Sequence, residues 1–349
     1  MGSRSPLVAA TQSVRRAVRT LAATRRPAGY HGSYQGDVAF FEGWYVKLVS
    51  ADSSARLALI PGVFRGGTAE ADEAFVQVLD GVTGESWFEV FPVASFDADA
   101  RAFDVTVGGN RFGDRGIVLD LPGPGLAGEV TFGALDPWPV TCAAPGVMGR
   151  YAWVPVMECY HGLLSFDHRL EGALTLGGRE LDFTGGRGYL EKDWGRSFPS
   201  AYVWMQSNHF AAPGVSLSAS IATIPWGRSS FRGFIVGLRL PGEGGALHRF
   251  ATYTGAVTEE LRVDDATVTW IMRAPDGVRL HLRATRGRGG LLHAPARAAA
   301  HRRVEETLDA RIEVRLIDPA GRVVFHDTGE VAGLEVHGDV AGLGALHDR

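Results

Sequence analysis

The sequence predicts an all-β fold made of two antiparallel β-barrel halves packed together. Short apolar or alternating runs recur along most of the chain, and Gly, Pro, Asn and Asp clusters punctuate them at regular spacing. The 349 residues accommodate two barrels of about 150 residues each. Residues 1–28 read as a basic, flexible leader, 29–180 as the first half and 181–340 as the second, with the junction between 170 and 190.

In the first half the expected strands are 39–49, 57–63, 74–80, 87–93, 102–107, 116–121 and 128–132. Side chains alternate between the two faces of an extended strand, so each run can offer one face to a core. Residues 122–126 and 136–145 are loops rich in Pro and Gly. The second half repeats the style at 162–166, 173–176, 201–209, 215–224, 232–240, 249–254, 267–273, 279–284, 310–317 and 323–328. Forty-six glycines suit the bulges and tight corners of closed sheets. Helix is expected only in the leader and as a turn near 295–303.

A hydrophobic content of 45% and a charged content of 21% are those of a globular protein. No apolar run approaches the ~20 residues that span a bilayer. Cys142 and Cys159 are the only cysteines. They exclude a disulfide framework and a multi-cysteine metal site, and they point to a reducing, cytoplasmic setting. The net charge of −4 is uneven: residues 1–36 hold six arginines and no acid, which leaves −4 − 6 = −10 for the rest. An acidic body speaks against a nucleic-acid groove. The leader could lay Val14, Val18 and Leu21 on anionic lipid as an amphipathic helix, although a solvated tail is the favoured reading.

Of the 35 Lys and Arg residues only Lys47 and Lys192 are lysines. Each sits in an aromatic-rich segment: FFEGWYVKLV at 40–49 and GYLEKDWGRSFPSAYVWMQSNHF at 188–210. An ammonium is a compact point charge that shifts its pKa on burial, unlike the planar guanidinium, so these two places are expected to need it. Tyr189, Glu191 and Asp193 share one strand face; Leu190, Lys192 and Trp194 share the other. The two carboxylates would lie about 7 Å apart by strand rise. Facing an apolar cavity, they would keep at least one proton at neutral pH. An ion-paired rim, with Lys192 and Arg196 balancing the acids, is the plainer alternative.

The next strand aligns Tyr202, Trp204, Gln206 and Asn208. That face is greasy at one end and hydrogen-bonding at the other, suiting a ligand with an apolar chain and a polar ring. A core whose amides bond to backbone fits equally well. In the first segment Phe40, Glu42 and Trp44 oppose Phe41, Gly43, Tyr45 and Lys47; Glu42 is either a second acid or an ion-pair partner. Residues 157–162 add Glu158, Cys159 and His161. Strand neighbours rarely bring Cys and His into the hydrogen-bonded geometry of a nucleophile pair. GPGLAG at 123–128 fits the letters of a dinucleotide fingerprint, but it contains Pro and leads into a strand, so no helix N-terminus is there to cradle phosphate.

Taken in order, GYH (29–31), FFEGWYVKLV, EKDWGRSFP (191–199), VWMQSNHF (203–210), LLHAPARAAAHRRVEETLDARIEVRL (291–316) and GLEVHGD (333–339) resemble the tocopherol cyclase family, which is related to the carotenoid 1,2-hydratases. The Gly43–Trp44 pair is similar to the lipocalin entry motif. The resemblance implies two lipocalin-like barrels and conversion of a prenylated quinol to a chromanol. An alkene is protonated, and the phenol oxygen captures the tertiary cation. Plant members read EKNWG where this chain has Glu191-Lys192-Asp193-Trp194-Gly195, so Asp193 is not the acid common to the family. The carotenoid hydratases are similar in carrying an acid at the place of Glu191.

On this resemblance Glu191 is the expected proton donor, with Asp193 raising its pKa or sharing its proton. Lys192 and Glu42 would fix charge and orientation. Trp44, Tyr45, Trp194, Tyr202 and Trp204 would shape the substrate, Gln206 and Asn208 would hold ring hydroxyls, and Glu158 and His161 complete the binding set. Lys192 and Trp194 can join Glu191 only if a bulge or turn near Gly195 breaks the alternation. No metal or cofactor is called for. The expected partner is a lipophilic small molecule, a prenylated aromatic or isoprenoid, with peripheral membrane contact through the leader and no nucleic acid. The alternatives are a non-catalytic carrier, in which Glu191 is ion-paired and wet, and a hydratase- or pericyclase-like enzyme on the same scaffold.

Overall fold

The computed structural model describes residues 22–32, 39–66, 72–155, 157–242, 245–294 and 302–348. Val14, Val18 and Leu21 of the leader, and residues 295–301 of the expected turn, lie outside the described residues. No helix among the described residues is long and apolar enough to cross a membrane.

The strands are β1 (Phe40–Val49), β2 (Arg56–Arg65), β3 (Glu73–Asp80), β4 (Ser86–Pro92), β5 (Phe96–Ala98), β6 (Asp104–Val107), β7 (Asn110–Gly113) and β8 (Gly116–Leu121). They continue with β9 (Leu126–Phe132), β10 (Cys159–Leu176), β11 (Arg179–Asp182), β12 (Arg187–Gly195), β13 (Tyr202–Ser207), β14 (Ser216–Trp226) and β15 (Ser229–Arg239). The last are β16 (Leu247–Ala251), β17 (Val257–Val263), β18 (Thr267–Arg273), β19 (Arg279–Thr285), β20 (Gly289–Ala294), β21 (Arg302–Ile317) and β22 (Val323–His337). A short helix, Val340–Ala345, follows; the Asp339 side chain caps it by accepting from the Gly342 N–H at 2.8 Å.

Two antiparallel sheets result. The first runs β4-β3-β2-β1-β12-β10-β9-β8-β7-β6-β5 with β11 on β10, and the second runs β16-β15-β14-β13-β22-β21-β19-β18-β17 with β20 on β21. Each wraps its own apolar interior. Trp44, Leu57, Phe103, Phe112, Val130 and Leu190 fill the first; Val203, Met205, Trp270, Leu282 and Val314 fill the second. The expected closure into barrels is not found, for no ladder among the described residues joins β4 to β5 or β16 to β17. A three-residue 3-10 turn, Val93–Ser95, links β4 to β5, and no residue of β4 is fully buried, so little apolar burial drives that edge to pair.

The junction also differs from the expected 170–190. β12 is hydrogen-bonded on both edges inside the first sheet, to β1 from Phe41↔Gly195 to Val49↔Arg187 and to β10. The chain therefore passes between sheets only after Gly195. A strand buried on both faces belongs at a sheet centre, and β12 is buried at all but two of its nine positions. β10 merges two expected strands into one, absorbing the mismatch as register shifts between Leu163 and Ser165 and between Ser165 and His168.

A third apolar cluster lies between the sheets. Tyr45, Leu163, Phe166, Tyr189 and Trp138 meet Tyr202, Trp204, Ala222 and Leu308 across it. Contact is close at Gly237, where a Cβ would stand 2.3 Å from the Trp138 ring. This seam holds the candidate site.

Candidate active site

A cavity of about 190 Å³ opens in the seam. β1 contributes Phe41, Gly43 and Tyr45, β10 contributes Cys159 and His161, and β12 contributes Glu191 and Asp193. From the second sheet come Tyr202 and Trp204 of β13, Ala222 and Ile224 of β14, Val304 of β21 and Glu335 of β22. Met148, Met157, Phe198 and Pro199 close it from the loops. The lining is predominantly apolar with a few convergent polar groups, the composition of a small-molecule site. The cavity lies between the sheets and not inside either one, because strand alternation turns Glu191 and Tyr45 away from the filled interior and towards the opposite sheet.

Glu191 is 5% exposed. Its Oε2 accepts from the Tyr189 hydroxyl at 2.5 Å and from Trp204 Nε1 at 3.1 Å. His161 bridges the two acids, with Nδ1 2.9 Å from Asp193 Oδ1 and Nε2 3.6 Å from Glu191 Oε2. The register explains the triad: His161 on β10 pairs directly with Asp193 on β12, and Glu191 is the next residue on that face. Burial pushes the Glu191 carboxyl up to about 7, with Asp193 adding to the rise and His161 opposing it. For His161 burial alone would lower the pKa, but the charges of Asp193 and Glu191 and the Asp193 hydrogen bond outweigh it and lift it to about 9. Near neutral pH an imidazolium therefore sits beside a carboxylic acid that is itself near half-protonation.

One donor atom from each of His161, Glu191 and Asp193 falls within 4.8 Å of the others, a spacing that could hold a cation. Two donors, the Tyr189 hydroxyl and the Trp204 indole N–H, already point at Glu191 Oε2 and compete with a cation for that oxygen. Cys159 Sγ lies 3.9 Å from Asp193, where burial and that carboxylate push the thiol well up, so it is a poor nucleophile.

Of the expected residues the cavity gathers Glu191, Asp193, His161, Tyr45, Tyr202 and Trp204. The others lie elsewhere. Lys192 is fully buried on the opposite face of β12, where Nζ meets Glu42 Oε1 at 2.6 Å, His31 Nδ1 at 3.0 Å and the Gly29 carbonyl. It lies 5.0 Å from the Trp44 ring and 4.8 Å from the Trp194 ring, and Trp194 stacks on His31 at 4.1 Å. No bulge interrupts β12 against β1, so period two keeps Lys192, Glu42, Trp44 and Trp194 off the cavity. They form a charged plug at one end of the first sheet's interior. Gln206 accepts from Lys47 Nζ at 2.9 Å behind the cavity wall, and Lys47 also donates to the Val331 carbonyl at 2.5 Å. Asn208 donates to Asp167 and to the Gly188 carbonyl, both at 2.9 Å. The Glu158 carbonyl holds the Arg196 N–H at 2.8 Å outside the cavity lining.

Three polar residues join the site beyond those expected from the sequence. Tyr189, which shares a strand face with Glu191, donates its hydroxyl to that carboxylate. Glu306 accepts from the Tyr45 hydroxyl, and Glu335, which lines the cavity, accepts from the Tyr202 hydroxyl at 2.7 Å. The signal for Glu306 is an acid standing between Val304 and Leu308 on one apolar strand face.

The profile of tocopherol cyclase-like proteins matches residues 137–338, more than half of the chain, and takes in β10, β12, β13 and β22. The chain belongs to this family. No curated protein matches the sequence. Among solved structures, CghA with Sch210972 superposes with a TM-score of 0.53 at 13% identity, covering 90% of this chain and 95% of its own, which shows a shared fold. Kievitone hydratase from Nectria haematococca gives a TM-score of 0.47 at 12% identity, covering 91% of this chain and 92% of its own.

Proposed function

We propose that this tocopherol cyclase-like protein is an acid-initiated cyclase acting on a lipophilic substrate that carries an alkene and a hydroxyl, such as a prenylated quinol. The observation that carries the reading is Glu191: a carboxyl held near 7, almost dry, and facing an apolar cavity. A carrier in which that acid is wet and merely ion-paired does not account for this environment.

Glu191 delivers its proton to the alkene. The two donors on Oε2 and the adjacent imidazolium bind the resulting carboxylate more strongly than the acid, so they stabilise the transition state over the ground state. The Tyr45 and Trp204 rings, packed edge-to-face with centroids 5.3 Å apart, border the space where positive charge develops. A desolvated aromatic face can contribute up to ~2 kcal/mol to a cation. Asp193, whose side chain is 27% exposed, lets His161 exchange protons with solvent and reset the acid.

The test is incubation with a short-chain prenylated hydroquinone in deuterated water. Acid-initiated closure places one deuterium on the former alkene carbon, and Glu191→Gln lowers the rate by about 10²–10⁴-fold. Product without deuterium, or no product from the unaltered chain, overturns the reading.

A further inference from the structure

We propose that Glu335 is the second catalytic carboxyl: it receives the hydrogen bond of the substrate hydroxyl on binding and takes its proton as the carbon–oxygen bond forms. This rests on the reading of Glu191 as acid, and it names the place of the hydroxyl-bearing ring.

The cavity has an acid on each wall, Glu191 on β12 of the first sheet and Glu335 on β22 of the second. Trp204 links them, since its indole N–H reaches Glu191 and its backbone is paired with Glu335. Adding a proton and an oxygen across an alkene in the anti sense needs the two to approach from opposite faces. Two carboxyls on facing sheets, with the substrate between, meet that requirement; two on one strand, such as Glu191 and Asp193, do not.

Glu335 is also prepared as an acceptor. Tyr202 fixes its Oε2, and no Lys, Arg or His forms an ion pair with it among the described residues. Glu306 stands at the paired position on β21, fully buried, held by Tyr45 and, when protonated, hydrogen-bonded to Glu335. Burial and the neighbouring Glu335 push the Glu306 carboxyl well up; burial raises Glu335 too, but the hydrogen bonds from Tyr202 and Glu306 oppose that rise, so Glu306 is the member of the pair that keeps its proton and Glu335 the one that gives its proton up first. The other titratable groups around them are Lys47, Tyr45, Tyr202, Glu191 and Asp193.

The atoms balance. The alkene gains the Glu191 proton and becomes a carbocation, an oxygen lone pair closes the new carbon–oxygen bond, the O–H bond breaks and its proton passes to Glu335. The protein ends with one proton fewer at residue 191 and one more at 335, and exchange with solvent restores both.

Binding tests this without turnover and so fails independently of the role of Glu191. The probes are a 2-alkyl hydroquinone with a saturated chain and its dimethyl ether, titrated calorimetrically into the full chain. The unaltered protein prefers the hydroquinone by about tenfold or more, as a charge-assisted hydrogen bond provides. Glu335→Gln reduces that preference below threefold, Tyr202→Phe gives an intermediate value, and Glu191→Gln retains the full preference. Should Glu335→Gln fail to fold, Tyr202→Phe decides alone. An undiminished preference in the folded variants, or no preference in the unaltered chain, overturns the assignment.

Discussion

Lys192 offers the sharpest test of how the first sheet is held together. Its ammonium and the Glu42 carboxylate are both 0% exposed and 2.6 Å apart, on the inner face of adjacent central strands. Two unit charges at about 4 Å between centres interact by about 4 kcal/mol at the effective dielectric of ~20 that suits protein sites. Removing one partner strands the other in an apolar interior, which costs roughly 3–5 kcal/mol. Lys192→Met and Glu42→Gln are therefore each expected to destabilise the chain by about 3–5 kcal/mol in urea titrations at pH 7.5. The double variant should fall short of the sum by roughly 2–4 kcal/mol, because the second change removes the stranded group. Lys192→Met should also recover stability in mild acid. Without Lys192 the stranded, fully buried Glu42 carboxylate is relieved by taking a proton; that relief is complete below the ordinary Glu pKa of about 4.3 and fades as pH rises. Single-variant losses below 1 kcal/mol, or strict additivity, would refute the buried plug.

Other tests bear on the seam. Glu191 titrates near 7 when folded against about 4.5 unfolded, so its stabilising share is complete below pH 4.5 and is lost as pH rises through 7. Glu191→Gln should thus gain about 1–3 kcal/mol on the unaltered chain between pH 4.5 and 8, and a pH-independent difference would count against the burial argument. His161→Gln deletes the cation beside Glu191; the alkaline limb of the rate profile should move up by about one pH unit and kcat fall roughly tenfold, whereas an unmoved limb would remove His161 from the site. Gly237→Ala drives a Cβ into the rings of Trp138 and Phe166, 2.3 Å and 2.9 Å away, and should cost about 1–3 kcal/mol by thermal melting. No loss would mean that the sheets can slide apart there.

The strands were legible wherever alternation met turn chemistry. β1 and β3 lie within a residue of the expected ends, and β13 to β15 within a few. Legibility failed where both faces of a strand are apolar. In FFEGWYVKLV nothing local distinguishes the Phe40–Trp44 face, which enters the first interior, from the Phe41–Tyr45 face, which enters the seam. The shared face of Tyr189, Glu191 and Asp193 followed directly from period two, as did the separation of Lys192. Glu306 and Glu335 escaped because their meaning depends on β21 and β22 pairing beside β13, a contact over 100 residues distant in sequence that no local pattern encodes.

The placement of the cavity has a wider consequence. Because the cavity is a gap between two separately filled bodies, neither body expressed alone would own its full set of acids, and separately made fragments should regain ligand affinity only when mixed. Changes of substrate can then accumulate on the facing surfaces while the packing that keeps each body folded is left untouched.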